Sequence, residues 1–243
     1  MKFYSVPALF LMLALPAFGQ NFYTPPQDQA GLKSPESVDP NLPNVLILGD
    51  SISIGYTPVV RKLLAGKANV LRPDANCGDT KAGLRNLDTW LGTRKWDVIH
   101  FNWGLHDLCY RDPKSTEAAN RDKVHGVVSV TPEDYEKNLE QLVSRLEKTG
   151  AKLIWTSTTI VPENEIGRFV GDDKKYNDIA ARVMEHHGIP IDDLYALTLS
   201  FQGANSAGPG NVHYTRLGYD KIGRQVADSI EKALLKTADA HPQ

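Results

Sequence analysis

The sequence predicts one α/β domain built on a parallel sheet with helices on both faces. Three observations predict it. Short apolar runs alternate with amphipathic helical segments along most of the 243 residues, as in consecutive βαβ units. The runs are continuous, as in Val45-Leu46-Ile47-Leu48, which is how strands buried on both faces read. The length suits one domain and leaves little room for a second.

The elements follow in chain order. Val45 to Leu48 is the first strand and ends at Gly49. Pro58 to Ala65 reads as a helix, with Pro58 suited to a first turn. Val70-Leu71 is a short second strand. Thr80 to Leu91 is a helix with Leu84, Leu87 and Leu91 on one face. Asp97 to Phe101 is the third strand. Thr131 caps a helix opened by Pro132, with Leu139, Leu142, Val143 and Leu146 as its buried stripe and Gly150 as its stop. Lys152 to Thr156 is the fourth strand, Asp172 to His187 a helix, and Ile189 to Ile191 the fifth strand. Thr215 to Leu235 closes the domain as a helix carrying Ile222, Val226, Ile230 and Leu234 on one face.

The N-terminus carries an address. Lys2 precedes an apolar run from Val6 to Phe18, and Ala17-Phe18-Gly19 places small residues at a cleavage site. This reads as a signal peptide over residues 1–19, too short to span a bilayer. Residues 20–42 read as an extended polar lead-in, 43–236 as the domain and 237–243 as a tail. The expected location is secreted or periplasmic, without stable membrane insertion. A formal charge of -2 provides no broad positive field, which excludes nucleic acid as a partner class. No cofactor is expected. The oligomeric state is not legible.

In parallel sheets of this kind ligands bind beyond the carboxyl ends of the strands, so the chemistry belongs in those loops. The loop after the first strand reads Gly49-Asp50-Ser51-Ile52. A Ser here is a nucleophile or an ordinary helix cap. Asn76-Cys77-Gly78-Asp79 follows the second strand and Asn102-Trp103-Gly104-Leu105-His106-Asp107 the third; both offer hydrogen-bond donors for a developing oxyanion. Gly210-Asn211-Val212-His213-Tyr214-Thr215 precedes the last helix. A His in such a loop is available as the base that a Ser hydroxyl needs. Distance along the chain is no obstacle, because folding assembles such sites.

These segments, in this order, resemble the SGNH/GDSL hydrolases across residues 44–235. Gly49-Asp50-Ser51-Ile52 is similar to the first family block, Gly78 to the second, Gly104-Leu105-His106-Asp107 to the third, and Val212-His213 with Thr215 and Gly218 to the last. The resemblance implies a flavodoxin-like three-layer α/β/α sandwich with a parallel sheet of about five strands. It implies Ser51 as nucleophile, His213 as general base and then acid, and the backbone N–H groups of Ser51 and Gly78 as oxyanion donors.

The sequence departs from the family twice. His106 replaces the third-block Asn, so an imidazole is the expected third donor, with Asn102 as the alternative. Gly210 stands where the family has the Asp that orients the catalytic His. The reading is therefore a Ser-His dyad, with His213 held by the Gly210 carbonyl or the Asn211 side chain; the competing reading is a weakened site. A carboxylate introduced at 210 is the direct probe of its absence.

Other residues have plainer roles. Asn102, Trp103, Tyr214 and Arg168 are placed at the border of the site, Trp103 either as core or as a sugar platform. Cys77 and Cys109 lie in loops that flank one crevice in this fold, so they form either a bracing disulfide or two buried thiols. No metal site is expected: Asp172-Asp173 and Asp192-Asp193 read as solvated caps, and His186-His187 as a cationic helix terminus. Residues 110–130 form a polar insertion, either an entrance wall or a surface loop.

Together these readings describe an exported esterase acting on a small-molecule or polysaccharide O-acyl ester, O-acetyl carbohydrate foremost. A lipid esterase or thioesterase, and a carbohydrate-binding protein with an impaired site, are the alternatives.

Overall fold

The computed structural model describes residues 33–35, 37–115, 120–201 and 203–238. The segment expected to be a signal peptide and the first part of the lead-in lie outside the described residues. Strand β1 (Asn44–Leu48) runs into helix α1 (Ser51–Leu63), then β2 (Asn69–Leu71), α2 (Thr80–Leu91) and β3 (Val98–Phe101). A hairpin of β4 (Tyr110–Arg111) and β5 (Val127–Val128) follows, then α3 (Pro132–Glu147), β6 (Lys152–Thr156), α4 (Asp172–His186) and β7 (Ile191–Asp192). Two helices end the chain, α5 (Leu194–Leu199) and α6 (Arg216–Ala238).

The sheet has the order β2-β1-β3-β6-β7, and every pair in it is parallel. Helices α1 and α6 pack together on one face, and α2, α3 and α4 pack in series on the other. This is the three-layer α/β/α arrangement. The strand order reverses direction at β1, so the crevice between the ends of β1 and β3 is the topological switch point. Residues 45–48 of β1 and 98–101 of β3 are at most 1 % exposed, which explains the apolar run of β1 and leaves His100 of β3 buried against Asp192.

Three elements differ from the sequence reading. Helix α1 begins at Ser51, not Pro58, because the Asp50 carboxylate caps it by accepting the Ile52 N–H at 2.9 Å. Pro58 therefore lies inside the helix. The last strand is Ile191–Asp192, two residues later than expected. The 110–130 insertion is a short antiparallel hairpin, its Tyr110 paired with Val128.

The described part of the lead-in is tied to the domain. Ser34 Oγ donates to the Arg72 carbonyl at 2.8 Å, and Asn69 Nδ2 donates to the Asp39 carbonyl at 2.8 Å.

Candidate active site

Ser51 is the first residue of α1, directly beyond the carboxyl end of β1. His213 approaches from the loop before α6. Its Nε2 lies 2.9 Å from Ser51 Oγ, across 162 positions of sequence. The hydroxyl just past the first strand and the imidazole just before the last helix thus meet at the switch point.

The far side of the ring fixes its tautomer. Asn211 Oδ1 accepts the backbone N–H of His213 at 3.0 Å, and lies 2.9 Å from its Nδ1. A backbone N–H needs an acceptor, so the amide oxygen, not its nitrogen, faces this way. That oxygen can only accept from Nδ1. The proton of the neutral ring therefore sits on Nδ1, leaving the Nε2 lone pair to accept from Ser51 Oγ–H. Of the two partners expected for the ring, the Asn211 side chain is the one in place.

Gly210 cannot carry the missing carboxylate. Its φ is +68°, and a Cβ there would stand 2.6 Å from the Asn164 carbonyl oxygen. Here the turn that aims His213 rests against a neighbouring loop, and any side chain would push them apart.

Burial lowers the pKa of His213 below the usual imidazole value. Asp50 opposes this, while Arg168, Arg121 and His106 add to it. His106 is likewise lowered by burial, with Asp50 opposing and Arg168 adding. The two imidazoles therefore feel the same charges in one crevice and favour the neutral form. A neutral His213 can accept a proton, and a neutral His106 keeps one N–H to donate.

The loop after β2 is fastened to the nucleophile's loop. The Gly49 carbonyl accepts the Cys77 N–H at 3.2 Å and Arg72 Nη2 at 3.2 Å. Arg72 also donates to the Ala75 carbonyl at 3.2 Å. Gly78 N–H donates to Asn76 Oδ1 at 3.0 Å, so this amide must exchange one acceptor for another to meet an oxyanion. In the third-block loop, Gly104 admits no side chain, because a Cβ would stand 2.0 Å from Thr158 Oγ1. Asp107 anchors that loop to α2: its Oδ1 accepts Thr80 N–H at 2.8 Å and Thr80 Oγ1–H at 2.6 Å. Burial pushes its pKa up to about 8, against the Thr80 bonds.

Four expectations require correction. Asn102 is not a free donor: its amide is engaged with the Thr156 carbonyl at 2.7 Å and Thr158 Oγ1 at 3.3 Å. Trp103 is core, not a sugar platform. It is buried against Phe101 and the face of α2 at Gly83, and its Nε1–H donates to the Cys77 carbonyl at 3.3 Å. Tyr214 is also interior, edge-on to both Phe201 and Tyr219. Cys77 and Cys109 are free buried thiols, not a disulfide. Each packs in its own loop, Cys109 with its sulfur on the Tyr110 carbonyl at 3.7 Å.

An ionic cluster stands beside the site, of which only Arg168 is legible in the sequence, as a residue at the border. Glu165, fully buried, accepts Arg168 Nη1 at 2.9 Å, Arg121 Nη1 at 2.8 Å and the Gly167 N–H at 2.6 Å. Arg168 also donates from Nε to the Leu105 carbonyl at 2.7 Å. It thereby joins the third-block loop, the insertion hairpin and the loop under Gly210. A Glu and two Arg scattered over residues 121–168 have no motif spacing; only folding brings the buried Glu165 and Arg168 together with the half-buried Arg121.

Residues 47–221 match the GDSL-like Lipase/Acylhydrolase family. A search of the curated proteins found no match. Among solved structures, the fold is similar to the acetyl xylan esterase AlAXEase (TM-score 0.62, 15 % identity, covering 77 % of this chain and 99 % of that one). It is similar to a lipase/acylhydrolase from Enterococcus faecalis (TM-score 0.61, 19 % identity, 79 % and 96 % covered). It is also similar to Axe2, an acetylxylan esterase from Geobacillus stearothermophilus (TM-score 0.61, 17 % identity, 77 % and 94 % covered).

Proposed function

The chain belongs to the GDSL-like lipase/acylhydrolase family, a serine esterase of SGNH type, and on that premise we propose that its substrate is an O-acetyl ester of carbohydrate. The observation that carries the esterase reading is the 2.9 Å contact between Ser51 Oγ and His213 Nε2. Support for the acyl group and the sugar comes from the acetylxylan esterases that share the fold.

His213 Nε2 takes the Ser51 proton as Oγ attacks the ester carbonyl. The tetrahedral oxyanion lies against the Ser51 N–H, the Gly78 N–H and His106. Imidazolium then returns its proton to the leaving sugar hydroxyl, and the acetyl group remains on Ser51 Oγ. A water, deprotonated by His213, attacks the acetyl carbonyl; the acyl–Oγ bond breaks, acetate leaves and the imidazolium returns the proton to Ser51 Oγ. Asn211 orients the ring but brings no negative charge to the imidazolium, so the base is correctly aimed and electrostatically weak.

Export is part of the proposal. It rests on Lys2, the apolar run Val6 to Phe18 and the small residues at 17 and 19. Among the described residues no helix is long and apolar enough to cross a membrane.

The test is hydrolysis of acetylated xylooligosaccharides beside esters of increasing acyl length, by the wild type, Ser51→Ala and His213→Ala. Acetyl esters are expected to be cleaved best, and both variants to lose the activity. Preference for long chains would move the substrate to lipid; equal rates in all three proteins would end the esterase reading. N-terminal sequencing of protein recovered from outside the cytoplasm is expected to start near Gln20.

A further inference from the structure

Helices α3 and α4 pack side by side, and the C-terminal end of α4 faces the second half of α3 toward the amino ends of the strands, away from Ser51 at their carboxyl ends. His187 Nε2 lies 2.8 Å from Glu140 Oε2, and its Nδ1 lies 3.0 Å from Glu147 Oε1. His186 Nδ1 lies 3.4 Å from the other oxygen of Glu140. One ligand atom from each of Glu140, His186 and His187 falls within 4.8 Å of the others.

We propose that Glu140, His186 and His187 form a site for a divalent zinc-class ion, which clasps α3 to the end of α4. The first argument is proton accounting. Both nitrogens of His187 face carboxylates; a neutral imidazole satisfies one of them and an imidazolium both, and a metal bound to Nε2 and Glu140 takes the place of that second proton. The second is the outer shell. Glu147 holds Nδ1–H of His187, the carboxylate–histidine–metal relay that fixes the tautomer and orients a metal-binding ring. The third is geometry. Tetrahedral ligands at about 2.0–2.1 Å from zinc stand roughly 3.3 Å apart. His186 Nδ1 and Glu140 Oε1 already lie at that spacing, 3.4 Å apart, and the 2.8 Å contact of His187 Nε2 with Glu140 Oε2 opens by about half an ångström to admit the ion. The exposed His186 side chain (74 %) is free to swing through the remaining gap, while His187 (13 %) provides the fixed point.

Two imidazoles and one carboxylate select zinc-like ions over calcium or magnesium, which prefer all-oxygen shells. The fourth position opens to solvent. The chemistry lies at the carboxyl ends of the strands and the cluster toward their amino ends, so the ion acts on stability and not on ester cleavage. Adjacent histidines at the end of a helix have no metal-ligand spacing by themselves; the third ligand comes from a different helix, 46 positions earlier.

The experiment is calorimetric titration of metal-stripped full-length protein with Zn2+, with thermal melts in parallel. The proteins are wild type, His186→Ala, Glu140→Gln and Glu147→Gln, each also made with Ser51→Ala and His213→Ala so that the catalytic crevice contributes no zinc binding. One saturable equivalent is expected in the wild-type background, with a rise in Tm of about 5 °C at a hundredfold excess over Kd. His186→Ala and Glu140→Gln are expected to weaken binding about a hundredfold, and Glu147→Gln about tenfold. Mg2+ is expected to produce no shift. Without Zn2+, His186→Ala in the otherwise native chain is expected to keep its melt and full esterase rate. Equal zinc affinity in wild type and His186→Ala, or no saturable binding in the wild type, would overturn the proposal.

Discussion

Asn211 Oδ1 accepts two hydrogen bonds from the same residue, the backbone N–H of His213 at 3.0 Å and its ring Nδ1–H at 2.9 Å. The first bond forces the amide oxygen toward the ring, and that oxygen then dictates which ring nitrogen is protonated. A side chain without charge therefore does half the work of a triad carboxylate. It sets the tautomer and leaves the imidazolium uncompensated.

Asn211→Asp supplies the other half. A hydrogen bond to a charged acceptor exceeds a neutral one by about 1.4 kcal/mol, which is about tenfold in rate when realised in the transition state. The variant is expected to gain about that in kcat, with its acid limb moved to higher pH because a carboxylate favours the imidazolium. Steady-state pH profiles of both proteins check it; superimposable profiles would show that residue 211 does not govern the base.

The wild-type pH profile follows from the depressed pKa of His213, caused by burial and reinforced by Arg168, Arg121 and His106 over the opposing Asp50. The ring must be neutral to act, so lowering its pKa extends activity toward acid. The acid limb of kcat/KM is expected below the ordinary imidazole midpoint of about 6.5. A midpoint above 7 would contradict the electrostatic picture.

Gly210→Asp, the substitution that restores the family residue at its usual position, is expected to fail. Left-handed backbone at a non-glycine residue costs about 1–2 kcal/mol, and crowding against the Asn164 carbonyl adds about 1–3 kcal/mol. Gly210→Ala carries the same Cβ and no charge. Both variants are expected to lose Tm and activity together. A stable and faster Gly210→Asp would mean that the loop under residue 210 yields readily.

His106 is proposed to donate to the oxyanion in place of the family's Asn. His106→Ala is expected to lower kcat about a hundredfold, with little effect on KM. His106→Asn is expected to retain most of the rate, since it returns a side-chain N–H to the loop. Wild-type turnover in His106→Ala would remove this residue from the oxyanion hole.

Asp107 has a stability consequence of definite sign. Its folded pKa, raised to about 8 by burial, exceeds the unfolded value of about 3.9, so the folded state prefers the neutral acid. Its contribution is fully present below about pH 4 and is lost as pH rises through 8. Asp107→Asn cannot ionise. Its Tm relative to wild type is expected to rise between pH 4 and pH 8 and to level off above; a difference independent of pH would place the carboxyl in the ionised state throughout.

The parallel sheet was legible because its strands are buried on both faces: Val45 to Leu48 is a continuous apolar run, Val98 to Phe101 is broken only by the buried His100, and helices alternate with them. Ser51 and His213 were legible because a strand-end loop and a helix-entry loop are where this topology displays reactive side chains. The start of α1 was misread because Pro58 is a strong local signal, and the Asp50 cap outweighs it.

What the chain order could not decide was every contact made across it. Whether residue 210 can carry a side chain depends on a carbonyl of residue 164, and the Asn211 side chain is the group that reaches the ring. Whether Asn102 faces the crevice depends on Thr156 and Thr158. Trp103 turns inward because Gly83 leaves room for its ring on the face of α2. The Glu165 cluster gathers residues from the insertion hairpin and the loop before α4. Periodicity records which face of an element is buried, and spacing records where loops fall. Hydrogen-bond partners are chosen by packing between elements, and only the folded chain contains that information.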